Sequence, residues 1–286
     1  MTKRQTRALS KVPLHIAVIV ASLLWLVPSA GVIVSAFRSP QAIRSTGWWT
    51  ALATPFDMTV WTLSNFETVL DTLELGRALR NSFFITIPAT ILPIFIAAFA
   101  AYAFAWMRFA GRRAIFSIVV GLLIVPLQLT FVPIYSVYNR IGITGTFIGL
   151  WLAHTGYGLP FAVYLLRNFF GSLPKDIFES AFLDGASYWT AFWRLALPLS
   201  VPSLASLAIF QFLWVWNDLL VALIYLGGTP QVAPLTVRVA NLVNSLGANW
   251  HLLPAAAVIA MAVPLLVFFA LQRYFVRGIL AGSVKA

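Results

Sequence analysis

Cysteine is absent from the 286 residues, which excludes a disulfide framework and any thiolate metal site. Charge is scarce: Asp, Glu, Lys and Arg make up 9% of the chain, against about 25% in a typical soluble domain. Histidine is limited to His15, His154 and His251, too scattered for a His-rich metal cluster. No Gly-x-x-x-x-Gly-Lys-Ser/Thr phosphate loop occurs, so the chain carries no seat for ATP of its own. The abundant material is apolar, at 60% of residues. The net charge of +11 comes from Lys and Arg in short segments between apolar runs. That placement is the signature of membrane topology and argues against nucleic-acid binding.

A helix crossing the hydrocarbon core needs about 20 mostly apolar residues. Six runs qualify: residues 14–37, 81–106, 114–138, 146–170, 197–226 and 254–275. They are continuous rather than alternating, which excludes a β-barrel. The expected fold is an all-α membrane protein of six transmembrane helices, forming a single permease domain over residues 1–286. The first run follows Lys3, Arg4, Arg7 and Lys11. It exceeds the roughly 7–15 apolar residues of a signal peptide, so it reads as a retained helix. Pro88, Pro93, Pro126, Pro133, Pro160, Pro198, Pro202 and Pro264 fall inside the runs and predict kinks.

Six spans put both termini on one side. Thirteen of the nineteen Lys and Arg residues then share that side, which orients both termini to the cytoplasm. The longest outer segment, Arg38 to Arg80, holds Trp48, Trp49 and Trp61, residues suited to the bilayer interface.

The segment between the fourth and fifth runs, residues 171–198, has the makings of structure. Pro174 suits a helix start, Asp176 and Glu179 suit its positive end, and Gly185 suits its termination. Ser187 can cap a second short helix carrying Tyr188, Trp189, Phe192 and Trp193. Ile177, Phe178, Ala181 and Phe182 form an apolar stripe on the first helix. Two readings stand: an amphipathic unit lying in the lipid interface, or a plug for a groove in a cytoplasmic partner.

Glu179-Ser180-Ala181, three residues, Gly185, nine residues, then Leu195-Ala196-Leu197-Pro198 resembles the EAA motif of ABC importer permeases in spacing throughout. Ser180 stands for an alanine and Leu195 for an isoleucine. Asp184-Gly185-Ala186 resembles the carbohydrate branch of that family. Asn81-Ser82, Ala100 to Phe104, Pro133-Ile134-Tyr135, Trp216-Asn217-Asp218-Leu219 and Arg277 to Lys285 are similar to the maltose-type, MalG-like permeases over roughly residues 14–286. The longer first outer loop with Gly47-Trp48-Trp49 resembles permeases for alpha-glucosides.

The resemblance implies an ABC type I importer architecture in a bacterial or archaeal cell membrane. It implies a coupling helix in which Glu179, Ser180, Ala181, Phe182, Asp184, Gly185, Ala186 and Pro198 meet an ATPase subunit. Glu179 and Asp184 would supply charge there, and small Ala181 and Gly185 would allow close seating. The implied partners are a MalF-like second permease subunit, an ATPase dimer carrying ATP and Mg, and an extracytoplasmic sugar-binding protein. The tail from Gly278 either reaches between the ATPase subunits or is a frayed terminus.

Sugar sites pair aromatic faces with hydrogen-bonding groups. Gln211, Trp214, Trp216, Asn217 and Asp218 on the fifth run are the candidates, with Gln128, Tyr135 and Tyr164 behind them. Asp218 is the only carboxylate in any run: a functional acid, or a hydrated group near the outer surface. His154 reads as an interhelical hydrogen-bonding group. An ion-coupled transporter would need further buried acids or histidines, and a membrane enzyme a convergent titratable cluster; only His154 and Asp218 qualify, on different helices. An ABC permease for a non-sugar solute is the remaining alternative.

Overall fold

The computed structural model describes residues 11–242 and 249–283, with side chains as far as Arg273. Lys3, Arg4, Arg7 and Lys285 of the topology count, and the side chains of the tail from Gly278, lie outside the described residues. Among those described the chain is helical, with one isolated bridge between Arg38 and Trp61. The longer helices are α1 (Val12–Ala36), α2 (Leu75–Trp106), α3 (Arg112–Gly121), α4 (Phe131–Arg140), α5 (Phe147–Gly171), α6 (Lys175–Leu183), α7 (Tyr188–Ala191), α8 (Val201–Trp216), α9 (Leu220–Leu226) and α10 (Leu253–Ser283).

Each apolar run lies on helix, but two are not single rods. Val12–Ala36, Leu75–Trp106 and Trp250–Arg273 are each long and apolar enough to cross a bilayer, and two bent pairs bring the total to five. The fourth run is α5, 25 residues long or about 37 Å; His154, Thr155, Arg167, Asn168 and several glycines dilute its apolar character. The third run bends by 99° between Arg112–Ile124 and Leu127–Arg140. Val125 is extended because it precedes Pro126, and the proline offers no N–H to continue the ladder. The fifth run bends by 72° between Tyr188–Leu199 and Val201–Trp216, then breaks again at Asn217 before α9. α2 begins at Leu75, ahead of the expected Asn81, and α10 continues past Phe275 to Ser283.

Two prolines leave α2 unbroken, and the reason is tertiary. Pro88 deprives the carbonyl of Phe84 of its helical partner, and Pro93 does the same to Ala89. Trp151 Nε1 on α5 donates to the Phe84 carbonyl at 3.1 Å. Gln211 Nε2 on α8 donates to the Ala89 carbonyl at 3.2 Å. Side chains from two neighbouring helices thus fill both vacancies, as an apolar solvent demands.

The chain divides into two compact units. In the unit formed by residues 1–75 and 241–261, the segment that follows α1 is folded around Arg38, which is buried. Its guanidinium donates to the carbonyls of Ala42 and Thr46 at 2.9 and 3.1 Å and to the Thr46 hydroxyl. Asn65 Nδ2 donates to the Ala36 and Arg38 carbonyls at 3.1 and 2.8 Å. Trp49 is exposed, as an interfacial indole would be, whereas Trp61 Nε1 is held by the Pro55 carbonyl at 3.0 Å.

In the unit formed by residues 76–240 and 262–286, two apolar cores divide the length of the bundle. One gathers Ala97, Ala101 and Tyr102 of α2 with Leu166 and Phe170 of α5 and Phe178 and Phe192 of the α6–α7 segment. The other gathers Ile85 and Ala89 with Leu150, Val215 and Tyr225.

Candidate functional site: a coupling knob and a polar interior

Lys175 to Leu183 forms the expected helix, with Pro174 at the N-cap position. Its end is a hydrogen-bonded Schellman closure: Ala186 N donates to Ala181 O at 2.9 Å and Gly185 N to Phe182 O at 3.1 Å. That closure needs a left-handed residue, and Gly185 has φ +84°. Within the chain a Cβ there would meet nothing within 4 Å, so inside this fold the glycine is required by the backbone conformation. Ser187 then caps α7, accepting from Thr190 N at 3.1 Å.

The apolar stripe does not face outward as a unit. Phe178 is fully buried and stacks on Trp106, the last residue of α2, with centroids 3.9 Å apart at 20°. Trp106 Nε1 donates to the Phe170 carbonyl at 3.1 Å, tying the end of α2 to the end of α5. Phe192 stacks on Phe99 at 4.6 Å and packs on Tyr102 at 5.2 Å. The α6 helix is therefore clamped to the ends of α2 and α5. Lys175 and Asp176 are exposed at its start and Ile177, Glu179, Ser180, Leu183 and Asp184 along the rest, while Ala181 and Phe182 are half-buried. Leu183 is 89% exposed. Periodicity could have found it, since it lies three and four residues from Ser180 and Glu179 on one face.

The interior of this unit holds a second set of polar groups. Asp218 sits at the break between α8 and α9 and caps α9: its carboxylate accepts from Val221 N at 3.2 Å and Ala222 N at 2.9 Å. Its own carbonyl accepts from Thr236 Oγ1 at 2.6 Å. His154 of α5 is buried, its Nε2 lies 3.7 Å from Asp218 Oδ2, and the edge of its ring meets Trp214 at 5.5 Å. Neither ring nitrogen has a hydrogen-bond partner among the described residues, and the polar approach of His154 to another element is the one to Asp218. A chain of hydroxyls runs beside this, from Thr130 to Tyr157 at 2.8 Å and on to Tyr225 at 2.9 Å. Asn81 Nδ2 donates to the carbonyls of Gln231 and Ala233, and Ser82 Oγ accepts from Leu235 N at 2.8 Å.

The model of the family described as binding-protein-dependent transport system inner membrane component matches residues 93–281. This chain belongs to that family. Such a component is a membrane permease of a binding-protein-dependent system, which agrees with the helical spans and sets aside the ion-coupled transporter. The permease is 55% identical over 285 residues to the osmoprotective compounds uptake permease protein GgtD of Synechocystis sp., covering 100% of this chain and 96% of that one. It is 54% identical over 230 residues to the alpha-glucoside transport system permease protein AglG of Rhizobium meliloti, covering 79% of this chain and 60% of that one. Among solved structures, a chain of a bacterial ABC transporter that imports the acidic polysaccharide alginate superimposes with TM-score 0.74 at 20% identity, covering 96% of this permease and 99% of that chain. The type I importer fold expected from the EAA motif is therefore the fold observed.

Of the solute-pathway candidates, the permease divides them by exposure. Gln211 and Trp216 are buried and committed, Gln211 to the Ala89 carbonyl and Trp216 to Phe212 and Phe83. Gly158 leaves the room for Gln211, since a Cβ there would stand 2.7 Å from its amide. Trp214, Asn217, Gln128, Tyr135 and Tyr164 are exposed. Tyr157, Tyr225, Thr130 and Trp151 are interior groups that residue-type reasoning missed, because nothing in a lone tyrosine or tryptophan distinguishes a bundle-facing position.

Proposed function

We propose that this permease forms half of the translocation pathway of an ATP-driven importer for glycosidic solutes, di- or oligosaccharides above all. α6 is the coupling helix through which a separate ATPase moves the bundle. The observation that carries this is the clamped knob: an exposed face of Ile177, Glu179, Ser180, Leu183 and Asp184 on a helix whose other face is stacked on Trp106. A push on the exposed face passes into α2 through the Phe178–Trp106 stack and into α5 through the Trp106–Phe170 hydrogen bond. Glu179 and Asp184 offer carboxylates to basic groups of the ATPase, and Pro198 marks the bend that ends the coupling segment.

In this reading both termini are cytoplasmic and ATP and Mg sit on the ATPase dimer, this chain hydrolysing nothing. A second, MalF-like permease completes the pathway, and an extracytoplasmic binding protein delivers the solute. The relative named for alpha-glucosides supports a polyhydroxylated cargo. Trp214, Asn217, Tyr135, Tyr164 and Gln128 offer the exposed ring faces and amides such a cargo uses, and Asp218 lines the same break.

The test is uptake of labelled alpha-glucosides by the assembled transporter in vesicles. The reading expects uptake that requires ATP and the binding protein and survives a protonophore. Uptake that follows an ion gradient without ATP would overturn it.

A further inference from the structure

Between the end of α2 and the start of α3 lies a recess of about 540 Å³ lined by Arg108, Arg112 and Arg113 with Phe109, Gly111 and Ala114. No carboxylate lines it, and among the described residues none of the three arginines is ion-paired. Arg112 is partly held, its Nη1 donating to the Met107 carbonyl at 2.8 Å, while Arg108 and Arg113 are exposed. Three uncompensated guanidiniums around one concavity exceed what orientation alone asks for, since loop charge does that work without converging.

What adjoins the recess identifies the occupant. No residue of α3 is buried, and Ile115, Ile118 and Leu122, at 46%, 65% and 52% exposure, run from the recess along one face. Their spacing puts them in a single stripe. Phe116 on another face packs against Phe104 and under the Arg167 guanidinium. The recess thus caps a strip of apolar side chains on one arm of a bent helix pair that together is long and apolar enough to cross a bilayer. A phosphate in the recess and an acyl chain along the strip would satisfy both at once. A free phosphate would use only the first, and an acidic protein surface would leave the strip bare.

We propose that this recess is a binding site for an anionic phospholipid, its phosphodiester held by Arg108, Arg112 and Arg113 and its chain lying along Ile115, Ile118 and Leu122. The site stands at the same end of the bundle as α6, because Trp106, two residues before Arg108, carries the stack with Phe178.

The full chain in phosphatidylcholine nanodiscs doped with spin-labelled phosphatidylglycerol provides the test. An immobilised lipid component is expected, weakened roughly a hundredfold in Arg108→Gln/Arg112→Gln/Arg113→Gln, given about 1 kcal/mol for each cation near a lipid surface. Ile118→Asn, which keeps every charge and the topology, is expected to weaken it as well. Glycerol phosphate in solution is expected not to displace the lipid. Equal immobilisation of labelled phosphatidylcholine, or full displacement by glycerol phosphate, would overturn the proposal. So would loss of the component on adding the ATPase subunit, since the recess would then be a protein interface.

Discussion

Gly185 is where one residue decides most. Its φ of +84° closes the coupling helix, and an L-residue in that region costs roughly 1–2 kcal/mol, more when β-branched. Gly185→Val is expected to abolish transport while membrane insertion is kept, as uptake and surface labelling would show. Gly185→Asn, which tolerates the left-handed region, is expected to retain a substantial part. Equal loss in both would mean that the site needs smallness rather than this backbone angle. Gln211 acts through the carbonyl that Pro93 strands. Gln211→Leu is expected to cost about 1 kcal/mol in unfolding from mixed micelles, the usual worth of one such hydrogen bond. In a Pro93→Ala background the same change is expected to cost close to nothing, because residue 93 then supplies its own N–H to the Ala89 carbonyl. Undiminished cost in that background would refute the pairing.

At the scale of an element, α6 and α9 each carry one contact that a single substitution can test. Phe178→Ala removes the ring that stacks on Trp106, worth about 0.5–1.5 kcal/mol beyond its burial. It is expected to leave ATP hydrolysis by the assembled transporter running while uptake falls, so that their ratio, measured in the same vesicles, rises. α9 depends on its Asp218 cap: Asp218→Ala is expected to cost about 1 kcal/mol, and Asp218→Asn much less, since asparagine caps as well. A transport defect in Asp218→Asn as deep as in Asp218→Ala would show that the charge matters for more than the cap. The spans themselves were legible in the sequence because each is a continuous apolar run, and the knob was legible because Pro174, Gly185 and Ser187 each have one local job. The breaks were not. Pro88, Pro93 and Pro126 are equivalent as residues in apolar runs, yet α2 continues through the first two and the chain turns at the third. The difference lies in Trp151 and Gln211, which arrive from other helices and take the carbonyls the prolines strand. For the same reason the stripe of α6 read as outward-facing: pattern shows which side chains share a face, and only packing shows that Phe178 is the one turned inward.

In the proposed mechanism the whole permease works as a lever: an exposed face on α6, an aromatic clamp, and two long helices that carry the movement into the bilayer. Its natural lack of cysteine allows single probes to be placed on an otherwise silent chain. Leu183→Cys sits on the exposed face of the knob and Ile118→Cys on the strip assigned to lipid, and neither position is buried. Bismaleimide cross-linking of both variants in native membranes tests the claim most directly. Leu183→Cys is expected to capture an ATP-hydrolysing subunit, with a yield that changes when ATP is added, and Ile118→Cys is expected not to. Capture of that subunit by neither variant, or equally by both, would contradict it.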